Sequence, residues 1–123
     1  HVCVENCIRF ARRMEPYNLA WIEGMVPWMY TDQYVRLKNS TCVPVCTGED
    51  IYLKEGFAPL IESGGVSVIH PDILTCGGAL ELKKISDMAD EHGVVVERYG
   101  DGSPGTAGRK RLHCGTGEAG ARV

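Results

Sequence analysis

The sequence predicts an α/β fold: a parallel sheet of about four βα units, forming part of a TIM-type (β/α)8 barrel. Three observations carry that expectation. Helical and strand-like segments alternate in the order α-β-α-β-α-β-α-β, the pattern of βα units. The strand-like segments are continuously apolar rather than alternating, as in a parallel sheet covered on both faces. The unit also recurs about every 25 residues, shorter than most doubly wound domains need and suited to barrel units.

Each element has its own local reason. Val4, Cys7, Ile8, Ala11 and Met14 recur at helical spacing, and Pro16 ends that helix. Leu19–Ile22 is a short apolar run fit for a buried strand ending at Glu23. After the loop GMVPWMY, Thr31 is placed to cap a short helix, TDQYVRLKNS. The run VPVCT is the second strand and ends at Gly48 and Glu49. A helix over Leu53–Ser63 is stopped by Gly64 and Gly65. The third strand, VSVIH, ends at Pro71 and Asp72. In the next helix Ala79, Leu82, Ile85, Met88 and Ala89 share one face, and Gly93 closes it. The β-branched run Val94–Val96 is the fourth strand. From Gly100 to Val123 no period is found; seven glycines and the run Arg109–Arg111 mark a tail separate from the domain over residues 1–99.

Composition narrows the function classes. At 123 residues the chain suits one domain, whereas a complete barrel needs roughly 250. The apolar and charged fractions, 44% and 24%, are those of an ordinary globular chain. A formal net charge of −3 predicts no nucleic-acid or anionic-membrane partner. No apolar run approaches the ~20 residues that span a bilayer. The opening HVCVENCIRFARR starts directly on a helical pattern, so a cytoplasmic location is expected. The six cysteines, some of them in apolar runs, are expected to be reduced structural thiols; a metal role is the alternative, against which stands the lack of close C-x2-C pairs.

The chemistry lies at the strand ends. Glu23, Glu49 and Asp72 each stand where a predicted strand stops, 26 and then 23 residues apart. In parallel α/β folds the C-terminal strand ends are where ligands bind. Acids brought there together repel unless a cation holds them, and hard oxygen ligands suit Mg2+. The alternative is that each acid caps the following segment. His70 shares strand parity with Asp72 and is placed either at the mouth, touching substrate, or packed at the strand end. Trp28, in the loop past Glu23, either lines the mouth or packs beneath the loop.

The segments WIEGMVPW, PVCTGEDIY and SVIHPDILTCGGALELKKISDMADEHGV, within residues 2–96, resemble the mandelate racemase branch of the enolase superfamily. Their wording is similar to its galactonate-type acid-sugar dehydratases. The resemblance implies that Glu23, in Trp21-Ile22-Glu23, and Glu49, in Gly48-Glu49, are the second and third Mg2+ ligands. It implies that Asp72 is the aspartate of an Asp–His general-base dyad. The implied reaction removes the proton α to a carboxylate, forms a Mg2+-stabilised enediolate and eliminates a β-hydroxyl as water. An acid-sugar substrate and assembly as a homo-oligomer are likewise implied.

The chain departs from that pattern in two places. The first metal ligand is expected four residues upstream of His1. Tyr99 stands about where the dyad histidine belongs, and a phenol, with an ordinary pKa of roughly 10, cannot serve as that base near neutral pH. The expectation is therefore a fragment of such a dehydratase. Two other classes remain. One is a non-catalytic remnant, since a half barrel leaves two sheet edges open. The other is a small doubly wound Mg2+-binding signalling domain, against which stand the glutamates and the opening helix.

Overall fold

The computed structural model describes residues 3–97. The Gly/Arg-rich tail and Tyr99 lie outside the described residues. Four helices alternate with four strands: α1 (Val4–Met14), β1 (Ile22–Glu23), α2 (Thr31–Ser40), β2 (Val45–Thr47), α3 (Leu53–Glu62), β3 (Val68–Ile69), α4 (Ala79–Glu91) and β4 (Val95–Val96). All three strand pairings are parallel, in the order β1-β2-β3-β4. That order runs on without reversal. A doubly wound sheet reverses at a switch point, so the observed order is that of a barrel segment.

The helices pack in sequence, α1 on α2, α2 on α3 and α3 on α4. They bury one face of the sheet. Ile22, Val45 and Ile69 join Leu37, Phe57, Leu60 and Ile85 in a single hydrophobic cluster. Alternation along each strand then sends the intervening residues to the opposite face. In register, Glu23 pairs with Cys46, Cys46 with Val68, and Val68 with Val95, so these four form one row across that face. Cys46 and Val68 are buried yet lie outside the helix-side cluster.

The strands are shorter than the apolar runs, β2 beginning at Val45 rather than Val43 and β3 spanning only Val68–Ile69 of the run 66–70. The first strand begins at Ile22, not Leu19, and Leu19 is exposed. A 3-10 turn over Glu15–Tyr17 ends at Asn18 in the left-handed region, and the chain meets β2 only where the Ile22 N–H donates to the Pro44 carbonyl at 2.9 Å. Thr31 is the first residue of α2 rather than its cap; Tyr30 holds the cap position without a side-chain hydrogen bond. The β1–α2 loop is fastened instead by the buried Tyr34 hydroxyl, which donates to the Val26 carbonyl at 2.7 Å. The expected thiols are free at Cys3, Cys7, Cys46 and Cys76. Cys42 corrects that reading: it is disulfide-bonded, and it sits exposed on the loop before β2, where a thiol is accessible.

Candidate active site

The sheet brings its acids to one end. Glu23 closes β1, Gly48-Glu49 follow β2, His70-Pro71-Asp72 follow β3, and Glu97 follows β4. His70 lies two residues beyond Val68, and alternation puts it on the same face as Glu23, one layer further along. The junction after β2 is tight. A Cβ on Gly48 would lie 2.9 Å from a Phe57 ring carbon and 3.0 Å from the His70 backbone nitrogen, and Gly48 has φ +137°. Glycine is what this junction accepts.

Glu23 and His70 come together. Glu23 Oε1 lies 3.1 Å from His70 Nδ1, and the Trp21 indole Nε1–H donates to Glu23 Oε2 at 3.2 Å. The Trp21 and His70 rings meet edge to face, with centroids 6.4 Å apart. The His70 side chain is 17% exposed and that of Glu23 35%. His70 is thus half-buried after β3, packed beside Glu23 and Trp21.

The other candidates are placed differently. Glu49 is exposed, and no hydrogen bond or ion pair with another described residue engages its carboxylate. Asp72 Oδ1 accepts the Leu74 N–H at 2.7 Å and the Thr75 N–H at 3.4 Å, which fixes the turn leading to α4. Trp28 is half-buried and packs against the hydrophobic cluster. Among the described residues no group of three His, Cys, Asp or Glu side chains is arranged to hold a metal.

One feature escaped the sequence reading. Glu97 lies two residues past Val95, on the same face by alternation, with its N–H donating to the Ile69 carbonyl at 2.9 Å. The signal was available, since VVVER ends a strand with an acid just as the other three segments do. Cys46, a free thiol as expected, lies buried in the row beside Glu23. Burial raises its thiol pKa most, and the nearby Glu23 and Glu97 carboxylates raise it further. It is held as a neutral thiol, not a nucleophile.

The enolase C-terminal domain-like family model matches residues 2–116. The chain belongs to that family. Among curated relatives it is 37% identical over 101 residues to the L-rhamnonate dehydratase of Saccharopolyspora erythraea, covering 79% of this chain and 25% of the relative. It is 35% identical over 96 residues to the D-xylonate dehydratase of Haloferax volcanii, covering 78% and 23%. Among solved structures, the 3,6-anhydro-D-galactonate cycloisomerase of Zobellia galactanivorans superposes with a TM-score of 0.75 at 35% identity, covering 80% of this chain and 28% of that one. The chain thus spans about a quarter of the length of these relatives. Homologues of this enolase-family segment include acid-sugar dehydratases. No helix among the described residues is long and apolar enough to cross a membrane.

Proposed function

We propose that this chain is the part of a Mg2+-dependent acid-sugar dehydratase barrel that carries two of its metal-binding carboxylates. One observation carries the reading most. Glu23 and Glu49 stand at the C-terminal ends of adjacent parallel strands, in a chain whose relatives include two sugar-acid dehydratases. The donor chemistry fits the ion. Mg2+ takes hard oxygen ligands and is often held by only one or two protein carboxylates, the rest of its shell being water and substrate. Bound there, it would supply positive charge beside a substrate carboxylate as the α-proton leaves.

The chain's own residues have assigned parts. Glu23 and Glu49 hold the ion. Asp72 serves the general base of the complete barrel as its orienting carboxylate, its direction fixed by the Leu74 and Thr75 N–H groups. His70, at the mouth, contacts the acid-sugar substrate, and Trp28 closes the side of the mouth from beneath the loop after β1. In the full-length protein we expect a homo-oligomer.

A second reading, a non-catalytic remnant, is favoured by one observation: one oxygen of the Glu23 carboxylate is taken up by His70 within the fold. A panel of five- and six-carbon sugar acids separates the two readings. With millimolar Mg2+ present, one or more should raise the melting temperature of the chain by several degrees, and Glu49→Gln should remove that shift. A panel without effect, with or without Mg2+, supports the remnant.

A further inference from the structure

Trp21 lies beside the candidate site without a role in the reading above. Its indole N–H has an acceptor, Glu23 Oε2, at 3.2 Å. Its ring edge packs against His70, which takes the other oxygen of the same carboxylate at 3.1 Å. The three side chains close a triangle across β1 and β3, although neither strand is a hydrogen-bonded neighbour of the other. A glutamate side chain has three rotatable torsions and explores many directions when unheld. Here each carboxylate oxygen is claimed by a different ring, so its plane is fixed. The indole supplies a donor only, never an acceptor, so it always presents N–H to the carboxylate.

We propose that Trp21 is a positioning residue, whose indole fixes the Glu23 carboxylate plane at the end of β1. The idea rests on the assignment of Glu23 as a metal ligand for its functional meaning, but not for its geometry. An arm with one oxygen anchored from below enters a metal shell with less lost freedom than a swinging one. Phenylalanine at position 21 would keep the ring's bulk and lose the anchor.

The test uses the 123-residue chain. Its two tryptophans give two indole N–H resonances in nitrogen-edited NMR, assigned with Trp28→Phe. Glu23→Ala should move the Trp21 indole proton and speed its exchange with solvent several-fold, while the Trp28 resonance stays in place. Glu23→Gln, which preserves shape, should move it in the same direction by less. A Trp21 resonance indifferent to both variants overturns the proposal. In calorimetry with Mg2+ alone, Trp21→Phe should weaken binding about tenfold, as expected for loss of a charge-assisted hydrogen bond to a ligand. Unchanged Mg2+ affinity in Trp21→Phe, beside a loss in Glu49→Gln, overturns positioning and leaves the metal assignment standing. If the wild-type chain takes up no Mg2+, the metal assignment falls, and the indole resonances alone decide whether Trp21 fixes Glu23.

Discussion

At the scale of single residues, the mouth depends on one glycine as much as on its acids. Gly48 lets β2 pass within van der Waals distance of Phe57 and the His70 backbone, and it turns the chain so that Glu49 emerges into solvent. A methyl there meets both neighbours, and φ +137° is strained for any L side chain. Gly48→Ala should therefore lower stability in urea denaturation by about 1–3 kcal/mol, the usual range for overpacking. An unchanged midpoint would mean that the junction is looser than its distances say. The residue scale is also where sequence reading was weakest. Glu23, Glu49, Asp72 and His70 were visible as strand-end residues, because strand ends can be located from apolar runs. Their partners were not visible. Nothing in the spacing of Trp21, Glu23 and His70 says that two rings share the Glu23 carboxylate, since that depends on rotamers and on strand separation.

At the scale of elements, the helices end on their own side chains but do not start on them: Ser40, Ser63 and His92 bond carbonyls of the last turns of α2, α3 and α4. None of the four helices has a side-chain hydrogen bond from its own N-cap residue. The start of α3 is served from α4: the Glu81 carboxylate accepts the Lys54 N–H at 2.8 Å, satisfying one of the donors a helix leaves open. That backbone hydrogen bond is the main reason the Glu81 pKa lies below its ordinary value, with Lys84 adding to it. A carboxylate with a depressed folded-state pKa adds stability that is complete above its unfolded pKa and is lost as pH falls through the folded one. Glu81→Ala should thus lower the melting temperature near neutral pH, and the gap to wild type should close in acid, below the carboxylate range. A gap independent of pH would show that packing, not charge, is what the variant removed. Helix and strand types were legible because apolar spacing fixes them. The start of β1 was not, because Leu19 belongs by composition to a strand while the turn at Asn18 delays pairing until Ile22.

At the scale of the whole molecule, four parallel strands in sequential order with helices packed in sequence make a barrel arc, and the fold class was readable from alternation and repeat length alone. The arc explains why acids spaced about one βα unit apart gather at one end: each unit returns the chain to the same rim. It also explains why function is only partly legible. Residues that face the inside of the arc take partners from other strand ends, as Glu23 does with His70, and such partners leave no signature in the spacing. The most direct test of the account is the thermal melt of the chain, followed by circular dichroism, with and without millimolar Mg2+. At a tenfold excess over Kd the ion should add about 1.4 kcal/mol, seen as an upward shift of several degrees that Glu49→Gln abolishes. A cooperative melt indifferent to Mg2+ would contradict the claim that Glu23 and Glu49 together form a metal centre.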